Sequence, residues 1–313
     1  VTAADPLRIY SVVSNPFRYG FLVMARTVLA TNPSREISFR VLHHPELSPL
    51  DASYREWLGQ CIPQLEFVEA DLSAYENIFH LRDKVFHTPR RLWAAFLILE
   101  AFADDGPGQV LCLDSDMICL GPLEDDLFAD SDFRAVEARA PKGQPLGYFN
   151  TGVMRIGRDV RGPDAYRKVM STRSGKGYNY RAGRADQALI SLLFTPKNAS
   201  CIDGRYNVTR RQVPATGVRK RLGEMRAVFF HYVGAKPWHV SLDRRDLKGL
   251  EAEALWDGVV KDSLTTDEYI GYLEDWRDLS RKLVRTHVKE NPPIPIIVFF
   301  RRLVRRLRGM PPT

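Results

Sequence analysis

Residues Val110–Leu120 read VLCLDSDMICL, and how that stretch is taken decides the fold. Val110 to Leu113 is an apolar run of strand length. It ends in Asp114-Ser115-Asp116, and a second apolar run follows at once. In extended backbone, residues i and i+2 project to the same face, so the carboxylates of Asp114 and Asp116 are expected to point together off a strand end. Open α/β sheets hold their ligands at such ends. Two ionised carboxylates that close repel unless a cation lies between them, and all-oxygen ligation suits Mg²⁺ or Mn²⁺. An ion held there would in turn bind a diphosphate. The competing reading is a helix cap or a turn after a strand, and the motif by itself does not choose between them. The chain carries its own control in Asp130-Ser131-Asp132, where a short acidic helix-like run replaces the apolar strand. That copy reads as a solvated turn.

Outward from this stretch the chain alternates. Arg8 to Val13 reads as a first strand, followed by a helix through about Ala30, a second strand at Ile37 to Leu42 and a third at Leu65 to Val68. The alternation predicts a mostly parallel sheet covered by helices. Ser14 to Gly20, SNPFRYG, is the first strand-to-helix turn, a usual place for a nucleotide base or ribose; its plainer reading is an Asn-Pro turn. Pro89 to Phe102 is an apolar helix leading into the DSD strand, with Thr88 as its cap. Arg90 and Arg91 at its start oppose the helix dipole, which points to an anionic partner or to a surface ion pair.

Downstream, Phe133 to Val136, Phe149 to Ile156 and Val228 to Val233 read as further strands. Ser171 to Arg184, STRSGKGYNYRAGR, has no apolar period and reads as a loop, either closing over a substrate or simply solvated. Asp186 and Gln187 open an apolar helix that Asp186 could cap. Beyond Leu250 the pattern is helical, with Trp256, Tyr272 and Trp276 as packing residues.

Composition excludes little. With 313 residues, 44% hydrophobic and 27% charged, the chain can bury a full core. Cys61, Cys112, Cys119 and Cys201 have no metal-type spacing and read as reduced core thiols in a reducing compartment. Asn198-Ala199-Ser200 and Asn207-Val208-Thr209 fit the glycosylation sequon, but no secretory signal accompanies them. No apolar stretch reaches the roughly 18 residues that span a bilayer. The net charge is +7, and Asn291 to Thr313 holds five arginines and no acid, leaving only +2 for everything before it. A nucleic-acid binder would be expected to carry its basic face on the domain, so that class is disfavoured.

The DSD strand, Tyr148-Phe149-Asn150-Thr151-Gly152, the Ala185-Asp186-Gln187 helix start and the HYVGAKPW segment from His231 come in a telling order. Together they resemble glycosyltransferase family 8, the retaining nucleotide-sugar transferases, over roughly Arg8 to His239. The resemblance implies an A-type glycosyltransferase fold (GT-A): an α/β class, single Rossmann-like nucleotide-binding domain with a mixed-sheet extension and C-terminal helices. It also implies Mn²⁺, or Mg²⁺, held by Asp114, Asp116 and His231, an O/O/N set suited to Mn²⁺. Without the family, His231 at a strand end would be read as a hydrogen-bonded structural histidine. By the same resemblance Lys236 reaches the diphosphate beside a close backbone approach at Gly234, and Arg91 and Ser115 lie against the donor. Asn150 and Asp186 bond the transferred hexose, and Gln187 lies nearest the sugar face opposite the leaving group. Glu137 falls near a further sugar-binding carboxylate.

The sequence departs from the family in two places. The first turn offers Ser14, Asn15, Pro16 and Phe17 where members place acidic and aromatic residues for uridine. Phe17 can stack on a base and Asn15 can bond its edge or the ribose. The spacing from His231 to Lys236 is also one residue short. The resulting expectation is a metal-dependent retaining hexosyltransferase moving galactose or glucose from a UDP-sugar to a saccharide acceptor, a bacterial surface glycan or glycolipid, by front-face attack. A nucleotide-sugar hydrolase or a non-catalytic membrane-bound scaffold are the alternatives.

The chain divides into a catalytic domain, 1–245, a helical extension, 246–290, and a basic tail, 291–313. In Ile294 to Arg308, IPIIVFFRRLVRRLR, one helical face carries Ile296, Phe299, Phe300, Leu303 and Leu307, with Arg301, Arg302, Arg305 and Arg308 elsewhere. Such a helix suits an anionic membrane interface, giving a cytoplasmic protein peripheral on the inner face of the cell membrane; the alternative is a terminal helix packed on its own domain.

Overall fold

The computed structural model describes residues 5–129, 132–140, 143–173, 185–196, 199–214, 216–234, 236–237 and 250–274. Asp130 and Ser131 of the second DSD copy, most of the 171–184 loop, Trp276 and the basic tail are expectations that lie outside them.

Four parallel strands form the nucleotide-type half of the sheet: β1 (Leu7–Val12), β2 (Ile37–His43), β3 (Leu65–Glu69) and β4 (Gln109–Leu113). Their crossovers contain α1 (Arg18–Thr31), α2 (Ala52–Cys61), α3 (Glu76–Lys84) and a 3₁₀ stretch, Arg90–Ala103. After the turn at 114–116, β5 (Met117–Cys119) leaves the main sheet. β6 (Phe133–Arg139) and β7 (Pro145–Ile156) then return to it, β7 antiparallel to both β4 and β6. α4 (Pro163–Met170) and α5 (Asp186–Leu193) precede β8 (Ser200–Ile202), which closes the seven-stranded order β3-β2-β1-β4-β7-β6-β8. β9 (Val208–Thr209), α6 (Val218–Glu224), β10 (Phe229–His231) and α7 (Leu250–Ser263) follow. A second sheet has the order β5-β10-β9.

Strand alternation builds two cores, one on each face of the main sheet. Leu7, Ile9, Leu111 and Leu113 pack with α1 and with Trp256 and Val260 of α7, whereas Tyr10, Val110 and Cys112 pack with Phe96, Leu97 and Phe102 of the 90–103 stretch. All the strands expected from the sequence are present, with ends shifted by one or two residues except at β6 and β7, which are longer. β8 and β9 are only three and two residues long, and the helices α2, α3, α4 and α6 only seven to ten, too short to stand out.

The reading of the segment before β4 is corrected. Arg90–Ala103 is wound as 3₁₀, and Thr88 does not cap it: its Oγ1 is buried with no hydrogen-bond partner among the described residues. Instead the Trp93 indole donates to the Thr88 carbonyl at 2.9 Å, and the Arg82 guanidinium lies 3.6 Å over that ring, so aromatic packing fixes this end. Arg90 also faces Trp93, at 5.9 Å, and Arg91 is exposed with no ion-pair partner among the described residues. The Asn207 sequon, to which the sequence reading gives little weight, is not available as a surface site. Asn207 is 2% exposed and both ends of its amide are engaged inside the protein.

The C-terminal helices belong to the same core as the sheet. Trp256 is fully buried and donates to the Tyr272 hydroxyl at 3.4 Å, while Arg26 of α1 bonds the Ser263 carbonyl at 2.7 Å and Glu268 at 2.8 Å. Thr265 and Glu268 form the reciprocal cap of the helical run 266–274, Glu268 accepting from the Thr265 backbone N–H at 2.8 Å. The four cysteines are free, but only Cys112 and Cys119 are core thiols as expected: Cys61 is half-buried and Cys201, on the short edge strand β8, is exposed. No helix among the described residues is long and apolar enough to cross a membrane.

Candidate functional site

The ends of β1 and β4 open on one edge of the sheet, because the two strands pair in parallel. β4 delivers Asp114, whose backbone N–H donates to the Gly152 carbonyl at 3.0 Å, so the start of the DSD turn is fastened to β7. Beyond the turn, β5 pairs antiparallel with β10 in a register that sets His231 opposite Met117. The Tyr232 N–H donates to the Asp116 carbonyl at 2.9 Å, which fastens the other end. Two strands far apart in sequence are thereby made to present three side chains to one point.

At that point His231 Nε2 lies 3.3 Å from Asp114 Oδ2 and 3.2 Å from Asp116 Oδ1. One ligand atom from each of the three falls within 4.8 Å of the others. Asp116 and His231 are buried, and Asp114 keeps about half its side chain, 49%, open to solvent. Burial alone would pull the His231 pKa down, but the carboxylates of Asp116 and Asp114 outweigh it and raise it above the ordinary histidine range. The charges of His231 and Lys236 likewise hold Asp116 low against its burial. A proton on His231 and a divalent cation are alternative ways to neutralise the two carboxylates, and two oxygens with one imidazole nitrogen fit the cation well.

Lys236 closes one side. Its Nζ donates to Asp116 Oδ2 and, at 3.2 Å, to the Tyr232 carbonyl, and it lies 5.7 Å from the centre of the Phe17 ring. Phe17 comes from the turn after β1, so the first strand-to-helix turn and the HYVGAKPW segment meet here. Gly234 between Tyr232 and Lys236 has φ +93°, a conformation that favours glycine. Asn15 is engaged locally: its Oδ1 accepts from the Asp51 N–H at 2.9 Å, and its N–H donates to the Pro49 carbonyl. Ser115 is buried in the turn between the two aspartates.

Asp186 completes the other side. It is the first residue of α5, and Ala185 before it holds φ +54°, an uncommon value for a residue with a Cβ. Asp186 therefore does not cap the helix from outside. Burial, and then the charge of Asp114, push its carboxyl up to about 7, despite hydrogen bonds from the Thr151 side chain and from the N–H groups of Gln187 and Asp186. Gln187 follows, half-buried. Glu137 accepts from the Gly147 N–H at 3.3 Å within the β6–β7 pair.

Three residues were not legible as functional. Asn207 accepts from His231 at Nδ1 across 2.9 Å and donates from Nδ2 to Asn150 Oδ1 at 2.8 Å. A Cβ on Gly152 would stand 2.5 Å from the His231 ring, so only glycine fits beside it. Thr151 bonds Asp186. All three sit where the β6–β7 register breaks, between Ala135 opposite Met154 and Val136 opposite Asn150, or face that break. The only sequence signals were a sequon at Asn207 and the presence of Thr151 and Gly152 in the YFNTG strand.

Comparison with known proteins adds an independent line. Residues 9–241 match the family model described as glycosyl transferase family 8. The lipopolysaccharide 1,3-galactosyltransferase of Salmonella typhimurium is 24% identical over 257 residues, which cover 75% of this chain and 74% of that protein. Among solved structures, the galactosyltransferase LgtC in complex with donor and acceptor sugar analogues aligns with a TM-score of 0.54 at 18% identity, over 85% of this chain and 99% of LgtC. The glycosyltransferase GlyE of Streptococcus pneumoniae aligns at 0.51 and 19% identity, over 88% of this chain and 64% of GlyE.

Proposed function

The chain belongs to glycosyl transferase family 8 and has the GT-A fold, and from that premise we propose that it is a divalent-metal-dependent retaining hexosyltransferase. It takes galactose or glucose from a UDP-sugar to the saccharide part of a bacterial surface glycan or glycolipid. The observation that carries this reading is the convergence of Asp114, Asp116 and His231 Nε2 at the open end of β4, with the Lys236 ammonium bonded to the same Asp116. Residues 1–245 hold that site, the described helices of 246–290 buttress α1, and 291–313 is the segment read as a contact to an anionic membrane.

Asp114, Asp116 and His231 would hold Mn²⁺ or Mg²⁺, which when bound supplies positive charge to a departing diphosphate. Lys236 adds its own charge there. Of the three donors on its ammonium, Asp116 and Tyr232 occupy two, which leaves one for a phosphate oxygen. The exposed guanidinium of Arg91 is a further anion contact, and Phe17 offers an aromatic face for the base with Asn15, Ser115 and Gly234 lining the approach. On the sugar side, Asn150 Oδ1 already accepts from Gly152 N–H at 2.9 Å and from Asn207. Its amide NH₂ is the group left for a hydroxyl. Asp186, poised near 7, can donate to or accept from a hydroxyl near neutrality. Gln187 carries a neutral amide and is a poor nucleophile, so the departing phosphate oxygen, and not an enzyme base, takes the acceptor proton in a front-face attack.

The testing experiment is thermal and urea unfolding against UDP-, GDP- and CDP-sugars, each with Mn²⁺ or with chelator. A donor at about 100 times its dissociation constant is expected to add about 2.7 kcal/mol. The expected result is a Mn²⁺-dependent gain with one UDP-hexose, lost in Asp116→Asn. Free sugar released at a rate that acceptors do not raise would establish the hydrolase instead, and no response from folded protein would establish the scaffold. Removal of 294–313 is expected to abolish sedimentation with anionic liposomes while leaving turnover of soluble donor intact; loss of folding would instead mark the segment as part of the core.

A further inference from the structure

We propose that Asn207 is a positioning residue that fixes the tautomer of His231, and that it does so by relaying the polarity of one backbone N–H, that of Gly152, through Asn150. The inference rests on the metal-site reading above, but its geometry is independent of it. Amide oxygens and nitrogens are interchangeable in shape, so the orientation of a buried asparagine is set by its partners. Here the partners leave a single solution.

Gly152 N–H can only donate, so the atom it meets on Asn150 at 2.9 Å is the carbonyl oxygen. That oxygen also faces Asn207 at 2.8 Å, so Asn207 must present its NH₂ group there. The opposite end of the Asn207 amide is then an oxygen, and it faces His231 Nδ1 at 2.9 Å. An oxygen can only accept, so Nδ1 carries a proton. The nitrogen left with a lone pair in neutral His231 is Nε2, the one 3.2 and 3.3 Å from the carboxylates of Asp116 and Asp114. Asn207 is 2% exposed and His231 4%, so water does not compete for either bond.

The relay has a second output. Because Asn150 Oδ1 is saturated by two donors, the Asn150 NH₂ is the end left for a further partner, so the histidine tautomer and the Asn150 amide belong to one network. Hydrogen-bond partners of metal-bound histidines typically change affinity by about 10–100-fold when removed. Asn207→Asp separates the two outputs: a carboxylate still accepts from Nδ1–H but has nothing to donate to Asn150.

The test is long-range ¹H–¹⁵N correlation of ¹⁵N-histidine-labelled protein at alkaline pH, with the His231 signals identified by their loss in His231→Ala. It is paired with Mn²⁺ binding followed by electron paramagnetic resonance. Wild type is expected to show the Nδ1–H tautomer. Asn207→Ala is expected to lose it and to bind Mn²⁺ about 10–100-fold more weakly. Asn207→Asp is expected to keep the tautomer and to bind Mn²⁺ at least as tightly as wild type, a carboxylate partner making the imidazole more basic, while binding UDP-galactose or UDP-glucose about tenfold more weakly, the loss of one hydrogen bond. An Nε2–H tautomer in wild type, or wild-type Mn²⁺ affinity in folded Asn207→Ala, would overturn the relay. Wild type with the Nδ1–H tautomer but no Mn²⁺ binding would uphold the relay and sink the metal-dependent function.

Discussion

Alanine at Gly152 is expected to abolish cation binding and to lower sugar transfer by about 10²–10³-fold while leaving the fold intact. The added methyl would stand 2.5 Å from His231 Cε1, 2.6 Å from Nδ1 and 3.1 Å from Asn150 Oδ1. Carbon atoms rest at about 3.5–4.0 Å, so the ring must withdraw by roughly 1 Å. It cannot do so cheaply: the imidazole is rigid, 4% exposed, and tied to Asn207 at Nδ1. The methyl therefore displaces Nε2 from the two carboxylates. A misplacement of roughly 1 Å at a reacting centre is itself worth about 10²-fold. Overpacking of the strand should cost about 1–3 kcal/mol, small enough for the protein to remain folded. Mn²⁺ titration and urea unfolding of the same preparation check both halves. Gly59, in α2, is the matched control: nothing lies within 4 Å of its would-be Cβ, so Gly59→Ala should stabilise by about 0.4–1 kcal/mol and leave activity unchanged. Wild-type Mn²⁺ affinity in Gly152→Ala would refute the steric account.

The contrast between Gly152 and the DSD turn explains what could be read from the sequence. Asp114 and Asp116 are local: an apolar run followed by two carboxylates two apart fixes their common direction without knowledge of any other element. His231 and Lys236 became visible through the order of motifs, which their own spacing would not have supplied. Gly152, Thr151 and Asn207 were silent because their roles are defined by partners 24 to 79 residues away, through a break in strand register that no periodicity encodes. The same limit explains Thr88. A threonine before proline and an apolar helix is a reasonable cap locally, yet the Trp93 indole takes the Thr88 carbonyl and Arg82 stacks over that indole. Local chemistry was legible, and chemistry assembled by topology was not.

Asp104→Ala is expected to cost about 3–5 kcal/mol, a large fraction of the about 5–15 kcal/mol that holds a domain together. In the sequence Asp104 looks like nothing more than the polar end of an apolar helix. In the fold its carboxylate, 1% exposed, is the common acceptor for three elements. Arg8 of β1 bonds both oxygens, at 2.6 and 2.7 Å, and Tyr10 of the same strand donates to Oδ2 at 2.7 Å. Arg161, ahead of α4, and the Gly106 N–H reach Oδ1 at 2.7 and 2.9 Å. Truncation would leave the Arg161 guanidinium, 3% exposed, facing Arg8 with no acid between them. An uncompensated buried charge is what makes breaking such a cluster costly, whereas replacing the whole cluster need not be. Asp104→Leu combined with Arg161→Met should therefore recover part of the loss, which a mere cavity at position 104 would not allow.

The same carboxylate predicts a pH signature. Burial pushes its pKa up, but the hydrogen bonds of Arg8 and Tyr10 and the charges of Arg8 and Arg161 outweigh it and hold the group below the ordinary aspartate value. A folded pKa below the unfolded one means that its contribution is complete above about pH 3.9, the unfolded value, and is lost as the pH falls through the lower folded value. Asp104→Asn mimics the protonated form, so the stability gap between it and wild type should be constant near neutrality and close in acid. Urea unfolding of wild type, Asp104→Asn and Asp104→Ala across that range is the check. A gap that persists unchanged into acid, or an Asp104→Ala loss below about 1 kcal/mol, would mean that the three elements are held by apolar packing and that the cluster only fills space.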